Sequence, residues 1–226
     1  MFDEAARWAR LQEAQAKALD LFAAIEPLVR PGVTEGELSA QIVALAKARH
    51  GVETHWHKSL VRAGANTLAT FWDETAEQTL QADDIMFVDL GPVFEAWEAD
   101  FGATYVLGGD PAKHALKAAL PQVAGELTAW YAARPHATGA ELYAEAQAAA
   151  ERRGYRFAGN IAGHLVGEFP HSNFPGGRDV SLIAPVNVTR MRDLDADGRV
   201  RYWILEVHLA ELDGRFGGFC EGLLVG

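Results

Sequence analysis

Within the first 29 residues, Leu11, Ala18, Leu21 and Ile25 recur at spacings that return to one side of a helix, in a stretch otherwise rich in Ala, Glu, Gln and Lys. This predicts a long first helix over 3–29, because unbranched side chains keep their rotamer freedom there and the apolar stripe can face a core. Arg30-Pro31-Gly32 stops it. Thr34 followed by Glu37 predicts a second helix through about Arg49, since hydroxyl and carboxylate can satisfy backbone donors reciprocally. The period then changes. The runs 85–91 and 94–107 are β-prone and separated by Pro92, while 200–212 and 218–225 flank Asp213-Gly214, a dipeptide that suits the tight turn of a hairpin.

The helical pattern repeats. Residues 30–49 and 134–153, at a constant offset of 104, share nine identities in twenty positions, among them Arg30 with Arg134, Pro31 with Pro135, Thr34 with Thr138, Glu37 with Glu141 and Leu38 with Leu142. Each copy follows a helix-prone stretch (3–29; 111–133) and precedes strands. The expectation is one α+β domain over 1–226, made of two helix-helix-strand halves, about 1–108 and 109–226, with a site between them.

The two hairpins carry acidic pairs. If Asp213-Gly214 is a two-residue turn, position i pairs with 427 minus i, which sets Glu206 opposite Glu221. Their β-carbons would then lie about 5 Å apart, where like charges repel unless a proton or cation intervenes. A bulge at Gly217-Gly218 would move that register by one. Glu221 shares its parity with Phe219, Leu223 and Val225, an apolar face on which a carboxylate needs compensation. In the first hairpin Asp89 ends the run IMFVDLG and Asp100 follows eleven residues later, so the two can lie opposite or diagonal. On spacing alone, solvated pairs and strand-end caps remain open.

His164 and His171 lie seven apart in HLVGEFPH, next to Gly159 and Gly163. Imidazole with carboxylates suits Zn, Mn, Fe or Co better than Ca or Mg, which prefer all-oxygen shells. His55-Trp56-His57 carries two more imidazoles, of which His57 is a candidate for substrate binding. Asp193, Asp195, Asp197 and Gly198 look like the start of a calcium loop, but Ile204 stands where its closing Glu would be, and a solvated turn is expected.

Taken in order, RPGVTEGEL, the DLG segment with Asp100 eleven residues on, the histidines seven apart, and then Glu206 and Glu221 resemble the pita-bread metallopeptidases, the family of methionine aminopeptidase, aminopeptidase P, prolidase and creatinase. The resemblance implies a pita-bread fold of two pseudo-symmetric halves around an antiparallel sheet. It also implies two divalent ions: Asp89 on one, Asp100 and Glu221 bridging, His164 and Glu206 on the other. Hydrolysis by a metal-bridged hydroxide would follow, with Glu206 moving the proton and His171 binding substrate or stabilising the oxyanion.

One departure stands out. Many members of that family carry a His, often followed by Tyr, after a segment like RAGANTLAT, and here Phe71-Trp72 takes that place. Both are candidate substrate-binding residues. His208, on the parity of Glu206, is expected beside the metals in partial replacement of the absent imidazole.

Composition narrows the rest. A formal charge of -11 opposes sequence-independent binding to nucleic acid or anionic membrane. The lone Cys220 permits no internal disulfide, and with no signal peptide evident a cytoplasmic location is expected. The expected partners are a short peptide or other small substrate and, optionally, a second copy of the chain as a homodimer. The leading expectation is an aminopeptidase or Xaa-Pro type dipeptidase. Its alternatives are a creatinase-like hydrolase of a non-peptide C-N substrate and a non-catalytic binding protein on the same fold.

Overall fold

The computed structural model describes residues 3–170 and 179–225. Helix α1 spans Glu4–Ile25, with the Asp3 carboxylate accepting from the Ala6 N–H. It is shorter than expected from pattern, because Pro27 forces the chain into a 3-10 turn over Glu26–Leu28. Helix α2 spans Glu35–His50 and α4 Gly139–Arg152. Thr34 with Glu37, and Thr138 with Glu141, each close a complete capping box, so the repeated sequence produces the same local hydrogen bonds twice. Helix α3, Pro111–Ala132, precedes α4 as α1 precedes α2.

The strands are β1 (Leu60–Ala63), β2 (Ile85–Leu90), β3 (Val93–Phe94), β4 (Trp97–Glu98), β5 (Phe101–Val106), β6 (Tyr155–Phe157), β7 (Gly163–Val166), β8 (Tyr202–Glu211) and β9 (Gly217–Leu223). The main sheet runs β1-β2-β5-β9-β8-β6, all antiparallel, and β7 joins β8 beside its first half while β6 joins its second. The expected single strand over 94–107 is broken: Glu95 takes a φ of 60 degrees and closes the two-stranded β3-β4 ribbon before β5 begins.

The last hairpin keeps the expected register, with Glu206 opposite Glu221 and every pair from Ile204-Leu223 to Ala210-Gly217 summing to 427. Its turn is wider than the two residues expected. Gly214 N–H donates to the Glu211 carbonyl at 3.0 Å and Glu211 N–H to the Phe216 carbonyl at 3.1 Å. Four residues, 212–215, form the loop, and adding one residue on each side leaves the sum unchanged. No bulge intervenes at Gly217-Gly218.

Strand alternation then sorts the sheet into two faces. Met86, Val88 and Leu90 of β2 pack into the core under α1 and α2, and Leu205, Val207 and Leu209 of β8 into the core under α3 and α4. Their neighbours Phe87, Asp89, Glu206, His208, Phe219 and Glu221 line a cavity on the opposite face. The segment 193–199 is a polar turn in which Asp195 Oδ1 accepts from the Asp197 and Arg199 N–H groups, at 2.9 and 2.8 Å.

Candidate metal centre

Four strands present one row of positions to the cavity: Asp89 of β2 pairs with Gly102 of β5, Gly102 with Glu221 of β9, and Glu221 with Glu206 of β8. The gap in the row is Gly102. A β-carbon there would lie 2.5 Å from the Phe219 ring and 3.2 Å from Glu221 Cγ. Without it, the Asp89 and Glu221 carboxyl groups come together above β5. Asp100 precedes β5, diagonal to Asp89, and is 1% exposed.

His164 is brought in by β7. A β-carbon on Gly163 would stand 1.9 Å from the Ile204 carbonyl oxygen, and its φ is 135 degrees, so only glycine lets β7 approach β8 so closely. His164, paired with Ile204, then lies diagonal to Glu206, and its Nε2 is 2.8 Å from Asp100 Oδ2 and 3.7 Å from Glu206 Oε1.

His57 arrives by another route. Trp56 N–H donates to the Gly91 carbonyl and Val93 N–H to the Thr54 carbonyl, both at 2.9 Å, which lays residues 54–57 along 91–93. A β-carbon on Gly91 would come within 2.3 Å of both His57 and Trp56. In the space that glycine leaves, His57 Nε2 reaches 3.3 Å from both Asp89 Oδ1 and Asp100 Oδ1. His57, expected to touch substrate, lines the cavity, and its Nε2 faces two aspartates. Trp56, not a candidate site residue on pattern, packs edge-on against both imidazoles, at 4.3 Å from His57 and 5.2 Å from His164.

The electrostatics follow from three buried carboxyl groups, Asp89, Asp100 and Glu221, and the half-buried Glu206, facing two imidazoles. Burial alone would raise Asp100, but hydrogen bonds from His164 and His57 hold it at about 2. Burial likewise opposes charge on the imidazoles, yet Asp89 and Asp100 raise His57 to about 9, and Asp100 and Glu206 raise His164 to about 9. Burial pushes Glu206 up to about 8 and Asp89 to about 6. Glu221 is raised well above its ordinary range by burial and then by the charges of Asp100, Asp89 and Glu206. Its Oε1 is buried with no hydrogen-bond partner. That orphaned oxygen, the excess of carboxylates and the mixed nitrogen and oxygen donors all fit divalent cations. One donor atom from each of Asp100, His164 and Glu221 lies within 4.8 Å of the others, and the same holds for His57, Asp89 and Asp100.

The cavity above these groups measures about 470 Å³. Phe71, Trp72, Phe87 and Phe219 contribute aromatic wall, and Trp72 is 69% exposed at the rim. His208 lines the cavity but serves a different partner from the one expected. Its Nε2 lies 2.8 Å from the Thr67 carbonyl oxygen, between Phe87 and Phe219, and burial lowers it to about 4. It is a neutral wall residue, with no contact to the acidic row. His171 lies outside the described residues. Cys220 sits on the core side of β9, its thiol pushed up to about 12 by burial.

Comparison with known proteins gives this geometry a context. The sequence model of metallopeptidase family M24 matches residues 9–189, a span that includes Asp89, Asp100 and His164 and stops short of Glu206 and Glu221. Among solved structures, prolidase from Pyrococcus furiosus is 18% identical with a TM-score of 0.74, over 99% of this chain and 60% of that one. X-Pro aminopeptidase from Thermotoga maritima is 19% identical with a TM-score of 0.72, over 98% and 58%. Methionine aminopeptidase from the same organism is 15% identical with a TM-score of 0.68, over 96% and 92%. The chain thus spans somewhat over half the length of the first two and nearly all of the third. No curated protein matches the sequence. Among the described residues, no helix is long and apolar enough to cross a membrane.

Proposed function

The chain belongs to metallopeptidase family M24 and has its pita-bread fold, and from that premise we propose a dinuclear metal-dependent aminopeptidase or Xaa-Pro type dipeptidase that acts on short peptides. The observation that carries this reading is the row Asp89, Gly102, Glu221 and Glu206, with Asp100 and His164 completing it. In this reading Asp89 would hold one cation and His164 and Glu206 the other, with Asp100 and Glu221 available to either. The cations, Mn, Co, Fe or Zn, supply Lewis acidity that lowers the pKa of coordinated water and polarises a carbonyl.

The remaining work belongs to the chain's own groups. Glu206, which faces the cavity from β8, is placed to take a proton from water and return it to the leaving amine. Phe71, Phe87 and Phe219 give the cavity an apolar wall beside these groups, which strengthens the charge interactions next to it. The volume of about 470 Å³ admits a few residues of peptide and excludes a folded protein. Assignment of His171 to the oxyanion rests on sequence alone. The relatives' names supply the peptide substrate, and Phe71 in the place of an imidazole is the observation that favours a non-peptide C-N substrate as second reading.

The test is metal quantification on purified protein, followed by turnover of a peptide library with Mn, Co, Fe or Zn added. Two ions per chain and metal-stimulated release of N-terminal residues or cleavage of dipeptides are expected. Cleavage confined to non-peptide amides would move the assignment to the second reading. Less than one ion per chain without cleavage would replace both with a binding protein.

A further inference from the structure

The Asp100 carboxylate shows one oxygen to each of two imidazoles. Oδ1 lies 3.3 Å from His57 Nε2 and Oδ2 lies 2.8 Å from His164 Nε2. Both rings are also turned alike: Nδ1 of His57 is 2.7 Å from the Lys58 carbonyl oxygen, and Nδ1 of His164 is 2.7 Å from the Leu165 carbonyl oxygen. A carbonyl can only accept, so each Nδ1 carries a hydrogen, and in the neutral ring Nε2 is left with its lone pair. Tying the far ring nitrogen to a carbonyl is how proteins orient a metal-ligating histidine.

The distances around His57 suit the same task. Its Nε2 is 3.3 Å from Asp89 Oδ1 as well as from Asp100 Oδ1. Donors about 2.0 to 2.2 Å from one cation and at right angles stand about 3 Å apart. The ring has little freedom to serve a moving substrate. It is nearly buried, seated on Gly91, and held edge-on by Phe71 at 5.6 Å.

Resting on the dinuclear reading above, we infer that His57 is a further protein ligand of the centre and binds the cation on the Asp89 side through Nε2. Each cation then has its own imidazole, His57 for one and His164 for the other, with Asp100 between them. Phe71 acts as a positioning residue that keeps the His57 ring in place.

The test titrates metal-free protein with cobalt(II), follows binding by calorimetry, and counts imidazoles per cobalt by X-ray absorption. Wild type is expected to take two cobalt ions with an average of about one imidazole each. In His57→Gln that average falls to about one half, and one of the two sites weakens by at least about tenfold. Two ions in wild type with only half an imidazole each would overturn the inference and leave the dinuclear reading standing. Wild type that takes up no cobalt overturns both. Because the imidazole count is made on wild type, the result stands even if His57→Gln fails to fold.

Discussion

Glu206 stands directly opposite Glu221 across β8 and β9, and both side chains face the cavity. Without a cation such a pair is a conflict built into the sheet. Replacing either residue by Gln is therefore expected to raise the melting temperature of chelator-treated protein while abolishing the further rise that Mn²⁺ gives wild type. Differential scanning calorimetry with chelator and with Mn²⁺ measures both. A lower melting temperature for the metal-free variants would mean that the pair is not in conflict.

The same conflict sets the response to pH. In the metal-free fold Glu206 is raised from 4.5 to about 8, and His57 and His164 from 6.5 to about 9. Groups raised on folding contribute stability that is complete below their unfolded values and lost as pH climbs through the folded ones. Metal-free protein should thus lose stability from pH 4.5 upward as the Glu206 contribution fades towards 8, and more steeply between 6.5 and 9 as those of the two histidines are lost. Metal uptake near pH 7 should release protons, because ligands must shed them. Urea midpoints across that range and an indicator dye in weak buffer test the two statements. A flat stability profile, or no proton release, counts against the shifts.

Gly102 should tolerate no side chain. Its β-carbon would meet the Phe219 ring at 2.5 Å and Glu221 Cγ at 3.2 Å, so Gly102→Ala must push Glu221 or Phe219 out of line. Activity is expected to fall by at least about tenfold, given how steeply rate depends on placement, with a weaker loss of stability. Paired kcat and melting measurements decide. Full activity in the Ala variant would show that the row can bend.

His208 should behave as part of the wall. His208→Ala removes a buried ring and leaves the Thr67 carbonyl without its donor, a loss of about 2 to 4 kcal/mol. Metal stoichiometry should be unchanged. Because burial lowers His208 from 6.5 to about 4, its contribution is complete above pH 6.5 and declines as pH falls towards 4. That decline should be missing from a His208→Gln variant in acid unfolding curves. A fall in bound metal for either variant would instead tie His208 to the centre.

Much of this arrangement was legible in the sequence, and the reasons differ by element. The Glu206-Glu221 pairing could be read because alternation and a turn dipeptide fix a hairpin's register, and a symmetric widening of the loop leaves that register intact. The capping boxes were legible because they are local, Thr34 to Glu37 and Thr138 to Glu141. The break at Glu95 was not, since a positive φ on a non-glycine residue is imposed by surrounding structure. Nor was the placement of His57. It depends on irregular backbone at 54–57 docking against 91–93, a tertiary contact with no period to announce it. The Thr67 contact of His208 was not legible for a related reason: parity gives the face of a strand but not the partner, and Thr67 lies 141 residues away in sequence.

The row from Asp89 to Glu206 crosses four strands, each joined to the next by backbone hydrogen bonds. Neighbouring strands sit about 4.8 Å apart, and none can shift sideways without straining the ladders beside it. The sheet therefore works as a gauge. The spacing of its carboxyl-bearing positions is a property of the backbone, set before any ion arrives.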